Sequence, residues 1–257
     1  LESAVGRVET LPGPYLELGL GNGRTFDHLR ETAPDRDIFV FERKPAAHPD
    51  CMPDPEFLIE GDFTETLHRA LVQIKPKAVL AHCDIGTGIK VVDEELARQI
   101  SHDLDALLDQ IDVLHVCVPP ALHEEMAIRA LERGVYPIVE KPLTGRFGDG
   151  SEDYDGRNDS MEVARDGALD SIKRMLEAEA ASEARILYAE NWVYAPTIQK
   201  EREVLEKTKG QVLWMHGEEA HSGSHSPFYG YWKHGGGGAM IGKGCHPLTA
   251  ALYLKKV

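Results

Sequence analysis

Short apolar runs alternate with amphipathic stretches along most of the chain. The runs at Tyr15–Leu18, Asp37–Glu42, Glu56–Glu60, Ala78–Ala81, Val113–Val118, Tyr136–Glu140 and Ile186–Ala189 have the length and side-chain character of buried strands. Between them, Thr25–Glu31, Thr64–Ile74, Asp93–Leu108 and Ala121–Arg133 carry apolar residues at helical spacing. Leu67, Leu71 and Ile74 share one helix face, as do Leu96, Ile100, Leu104 and Leu107. Gly134 stops the helix before it. Strand–helix alternation of this kind predicts an α/β fold: a doubly wound, Rossmann-like parallel sheet covered on both faces.

The rhythm breaks at 145–160, GRFGDGSEDYDGRNDS, which is rich in Gly and Asp and almost free of aliphatics. It reads as an exposed loop, a solvated insertion rather than a lid. Helix returns over Met161–Ala181. From Gln211 the pattern predicts a strand, then a loop rich in Gly and His, then a helix over His246–Leu254. The expected organisation is a cofactor-binding domain over 1–144, the loop over 145–160, and a helix plus a truncated α+β substrate region over 161–257.

Composition narrows the partners. The net charge of the 257 residues is −15, with no visible basic patch, which argues against a duplex nucleic-acid surface. The four cysteines (Cys51, Cys83, Cys117, Cys245) are scattered without a CxxC pair, as in the reduced thiols of a cytoplasmic protein. No apolar run is long enough to span a bilayer, and no basic-then-apolar leader is present. A small-molecule substrate is therefore expected, with no membrane partner and with a homo-oligomer left open. Both ends look cut, so a fragment is expected.

The densest chemistry lies in Glu17-Leu-Gly19-Leu-Gly21-Asn-Gly23, which follows a strand and opens a helix. Glycines here let the backbone turn sharply and let a ligand lie against bare main chain. The spacing is GxGxG rather than the GxGxxG that aims a helix N-terminus at a pyrophosphate. Glu42 ends the next strand, 19 residues past Gly23, near the spacing at which an acid reaches ribose hydroxyls. Asp62 and Asp84 end the third and fourth strands. Four acids at carboxyl ends of parallel strands suit a cationic adenosyl ligand. As helix caps, the bland alternative, they fit at Asp62 and fit poorly at Glu17.

The strings LELGLGNGRT and DIGTG make residues 1–108 resemble the class I S-adenosylmethionine-dependent methyltransferases, in particular a small bacterial family. The resemblance implies a cofactor loop of Glu17, Gly19, Gly21 and Gly23, with Glu42 on the ribose, Asp62 by the adenine and Asp84 facing the methionine end. From Ile111 the text changes. IDVLHVCVPPALHEEMAIRALERGVYPIVEKPL, ENWVYAP and GGGAMIGKGCHP resemble the Gfo/Idh/MocA oxidoreductases, which use NAD or NADP on sugars and polyols. That likeness implies Lys141 contacting cofactor and substrate, a cis bond before Pro142, and His246 as the acid/base. It departs from the family twice. Gly242 stands where an aspartate is usual, and the family's GxGxxG loop is missing.

The chain thus reads as a chimera with its seam near 108–111. Its first expected function is methyl transfer to an unknown small molecule. The alternative is NAD(P)-dependent oxidation of a sugar or polyol by Lys141 and His246; the third is cofactor binding without turnover. No metal site is expected, although His216, His221, His225, His234 and His246 crowd the last quarter. Trp192, Trp214, Trp232, Tyr229 and Tyr231 are expected as core and strand residues rather than pocket lining.

Overall fold

In a computed structural model, which describes residues 1–84, 103–151, 153–220 and 230–256, all seven apolar runs form strands. They are β1 (Tyr15–Leu18), β2 (Ile38–Glu42), β3 (Leu58–Glu60), β4 (Leu80–Cys83), β5 (Val113–Val116), β6 (Tyr136–Glu140) and β7 (Leu187–Ala189). Every neighbouring pair is parallel, in the order β3-β2-β1-β4-β5-β6-β7. The first six are ordered as in a dinucleotide-binding sheet, with the switch point between β1 and β4. The seventh, from the 161–257 region, extends the same sheet at its edge.

Helices cover both faces. They are α1 (Glu2–Val8), α2 (Arg24–Thr32), α3 (Phe63–Gln73), α4 (described over 103–108), α5 (His123–Glu132) and α6 (Met161–Ala181). The rest of the expected 93–108 helix lies outside the described residues. Side chains alternate between faces along each strand. Leu16, Leu18, Ala81, Leu114 and Val116 pack with Leu67 and Leu71 of α3, Leu104 and Leu107 of α4, and Met126 of α5. Tyr15, Val40, Leu80, Val113 and Ile138 face the other way, onto Val5 and Val8 of α1 and Phe26 and Leu29 of α2. Each such buried aliphatic is worth ~1.5–3 kcal/mol, which holds the layers together.

Local chemistry sets the ends. Ser160 Oγ accepts the Val163 N–H at 3.3 Å and caps α6. Past α5, Gly134 takes φ 71°, and Val135 N–H returns to the Ala130 carbonyl at 3.0 Å, which closes a left-handed C-terminal turn.

The sequence reading omits four helices that form. One is α1. Another is α7 (Pro196–Thr208), which starts with proline at its first position and closes with Lys209 at φ 55°. The short α8 (Trp232–Gly235) and α9 (Gly238–Gly242) form inside the expected loop, and α10 (Cys245–Lys255) matches the expected helix over His246–Leu254. The strand expected from Gln211 does not form over residues 211–220. No described strand lies beside that stretch, so its backbone has no ladder to join, and Leu213 and Trp214 are 88% and 78% exposed.

Residues 145–160 form no helix or strand among the described residues, but the loop is pinned. The Tyr154 ring is buried against Gly148, where a Cβ would come within 2.5 Å of it. Its hydroxyl donates to Asp159 at 3.1 Å, and Arg146 Nε donates to the same carboxylate at 2.6 Å.

Candidate functional site

The glycine loop leaves β1 at the switch point. Gly19, Gly21 and Gly23 take φ of 99°, 52° and 82°, a left-handed region that favours glycine. Gly23 is also held by packing, since a Cβ there would come 2.6 Å from Cys51 Cβ. Gly21 has open space, with nothing within 4 Å of a Cβ position. Several of the loop's N–H groups are spent internally. Glu42 Oε2 accepts from Leu20 N at 2.9 Å and Gly21 N at 3.3 Å. Gly23 N bonds the Leu20 carbonyl at 2.8 Å, and Arg24 N bonds Asn22 Oδ1 at 3.2 Å.

The four acids have different settings. Glu42 lies on the loop itself. Asp84 is exposed across the switch point, its N–H on the Leu18 carbonyl at 3.0 Å; the residues that follow it in DIGTG are outside the described ones. Asp62 is half-buried at the head of α3, where its carbonyl accepts from Glu65 N and Thr66 N. Glu17 is fully enclosed within the layer beneath the loop. Its carboxylate lies 3.0 Å from His82 Nδ1, and burial raises its pKa.

A second constellation forms where α9 and α10 meet the ends of β6 and β7. Lys141 follows β6, its bond to Pro142 is cis, and its Nζ donates to the Gly242 carbonyl at 3.3 Å. His246 is buried, and its Nδ1 is hydrogen-bonded to Glu190 Oε1. The Trp192 ring stacks on it at 5.5 Å and 11°. A carboxylate on Nδ1 fixes the imidazole and leaves Nε2 for proton transfer. Sequence reasoning missed Glu190 and Trp192 as its supports, although both lie in the ENWVYAP string it singled out. His123 braces the turn, with one ring nitrogen 2.9 Å from the Pro142 carbonyl and the other 2.9 Å from that of Val118.

A third cluster was missed altogether. His82 on β4 and His115 on β5 are register partners, and both face Cys117. The signal was present as AHC and HVC at matching strand ends. The aromatic expectation fails for Trp214, Tyr231 and Trp232, which are 78%, 55% and 37% exposed; no described strand pairs with 211–220, and the Trp214 ring stacks on that of His216 at 5.7 Å. His221, His225 and Tyr229 lie outside the described residues.

A family model described as S-adenosyl-L-methionine methyltransferase matches residues 1–131, through β5 and most of α5. The chain belongs to that family. A methyltransferase structure from Silicibacter pomeroyi is 42% identical over 42% of this chain and 64% of its own, with a TM-score of 0.38. A levoglucosan dehydrogenase in complex with NADH and levoglucosan is 17% identical over 95% of this chain and 54% of its own, with a TM-score of 0.50. An aldose-aldose oxidoreductase from Caulobacter crescentus is 12% identical over 95% of this chain and 57% of its own, at 0.49. The levoglucosan dehydrogenase shares the fold. The chain spans under two-thirds of the length of each of these structures. No curated protein matches. Among the described residues, no helix is long and apolar enough to cross a membrane.

Proposed function

We propose that the chain binds S-adenosylmethionine across the Gly19–Gly23 loop and serves methyl transfer to a small molecule. The carrying observation is the state of the loop's donors. Leu20, Gly21, Gly23 and Arg24 have their N–H groups engaged within the protein. A pyrophosphate needs such donors free, whereas an adenosyl sulfonium asks for carboxylates and open main chain. Glu42 supplies a carboxylate for the ribose, and the space over Gly21 supplies room. A 2′-phosphate beside Glu42 would meet like charge, which disfavours NADP. Asp84, exposed across the switch point, faces the ammonium end. Methyl transfer then rests on holding the acceptor in line with the sulfonium.

A second reading has its own support. The Glu190–His246 pair under Trp192, with Lys141 nearby through Gly242, has the form of a hydride-transfer acid/base site. The sheet order suits a dinucleotide as well. On that reading the chain is a composite whose second half acts on a polyol with NAD.

A thermal-shift titration with S-adenosylmethionine, S-adenosylhomocysteine, NAD and NADP separates the two, because any ligand of the folded state raises the melting temperature. Stabilisation by the two sulfur nucleosides is expected. Stabilisation by NAD alone would transfer the function to the second site.

A further inference from the structure

A row of ionisable side chains crosses the sheet where aliphatics belong. Glu17 of β1 is the register partner of His82 of β4, which is the partner of His115 of β5. All three are at most 5% exposed. In a parallel sheet covered on both faces these positions are normally apolar, because burying unpaired polar groups costs stability. The protein itself offsets only part of that cost. Glu17 Oε2 and His82 Nδ1 pair at 3.0 Å, while Glu17 Oε1 and His115 Nδ1 lack a hydrogen-bond partner.

The remaining ring nitrogens converge on a thiol. His82 Nε2 lies 3.6 Å and His115 Nε2 3.4 Å from Cys117 Sγ, and the three atoms all lie within 4.8 Å of one another. A tetrahedral zinc with bonds of about 2.0–2.1 Å to nitrogen and 2.3 Å to sulfur sets its N···S edges at about 3.6 Å. The surroundings add the parts a metal centre uses. Glu17 sits behind His82 at Nδ1, where a carboxylate orients a ligating imidazole. Glu140 Oε1 lies 3.9 Å from His115 Nε2. Both His115 and Glu140 line a cavity of about 450 Å³ that opens beside β7 and gives access from solvent.

We propose that His82, His115 and Cys117 bind a divalent transition ion of the zinc type, with Glu140 or water completing four-coordination. Two imidazoles and a thiolate select zinc or cobalt over magnesium or calcium, which take oxygen ligands. Binding displaces the Cys117 thiol proton to solvent, since sulfur ligates as thiolate. The site lies in the layer beneath the glycine loop, and it stands whether or not that loop holds a nucleoside.

Cobalt(II) titration of the reduced, EDTA-treated full chain tests this. One equivalent of cobalt should give a thiolate-to-cobalt charge-transfer band and tetrahedral visible absorption, with release of about one proton. One equivalent of zinc should bleach both. The band should survive in the Cys51→Ser/Cys245→Ser double variant, which keeps Cys117, and vanish in Cys117→Ser. His115→Gln should weaken cobalt binding at least tenfold. No band from the wild-type chain, or a band lost in the double variant, overturns the proposal even if Cys117→Ser fails to fold. A band persisting in folded Cys117→Ser overturns it too, and reduces the short N···S approaches to hydrogen bonds.

Discussion

Two glycines of one loop should fail in different ways. Gly23 combines φ 82° with a neighbour that a Cβ would meet: Cys51 Cβ at 2.6 Å, Cys51 O at 2.8 Å and Ala47 Cβ at 3.1 Å. In Gly23→Ala the left-handed backbone costs about 1–2 kcal/mol, and overpacking adds roughly 1–3 kcal/mol more. The sum, about 2–5 kcal/mol, lowers the melting temperature by roughly 5–15 °C in a chain of this size. Gly21 has φ 52° and no atom within 4 Å of the added methyl, so Gly21→Ala costs only the backbone term, ~1 kcal/mol. Its methyl stands where the proposed nucleoside lies. Affinity for S-adenosylhomocysteine should fall at least tenfold, about 1.4 kcal/mol, with the fold kept. Differential scanning calorimetry gives the stabilities, and titration calorimetry on the folded variants gives the affinities. A Gly21→Ala chain that binds the nucleoside as tightly as wild type would remove the ligand from that space.

Three further outcomes follow from the geometry. His115 is held neutral by burial first and by the neighbouring His82 charge second, with its pKa lowered to about 3. A base with a depressed folded pKa stabilises fully above its unfolded value, and that contribution is lost as pH falls below about 6.5 at up to ~1.4 kcal/mol per unit. Glu17, whose carboxyl burial pushes above the usual carboxylate range, opposes this slope. Urea unfolding with EDTA at pH 7.5 and 5.5 should therefore show wild type losing more stability than His115→Gln; equal losses would contradict a neutral buried imidazole. His246→Ala strands the buried Glu190 carboxylate and should cost about 3 kcal/mol in urea, yet leave nucleoside affinity within threefold; a larger drop in affinity would join the two sites. Tyr154→Ala removes the ring and the hydroxyl that pin the 145–160 loop, and trypsin cleavage at exposed Arg157 should quicken about tenfold, as a local opening made 1.4 kcal/mol easier allows. An unchanged rate would mean that Arg146 and Asp159 hold the loop alone.

Much of the fold was legible because it is carried by periodicity. The strand over Tyr136–Glu140 and the helix over Met161–Ala181 have the same bounds in sequence and structure, since apolar spacing and capping residues decide both. The strand expected from Gln211 shows the limit. A strand is made by a partner's backbone as much as by its own side chains, and no described strand lies beside residues 211–220. The candidate sites divide the same way. Glu42 at the loop followed from its distance along the chain. The burial of Glu17, the Glu190 support of His246 and the meeting of His82, His115 and Cys117 depend on which strands lie side by side, and no local spacing records that.

The most direct measurement is location. Ultraviolet crosslinking of S-adenosylmethionine labelled in its methyl group, followed by trypsin digestion and peptide mapping, reports where the nucleoside sits. The label should fall on the peptide Val8–Arg24, which holds the glycine loop, and be chased by S-adenosylhomocysteine. Label on Ile186–Lys200, around Glu190 and Trp192, or no chaseable label at all, would contradict the assignment of that loop.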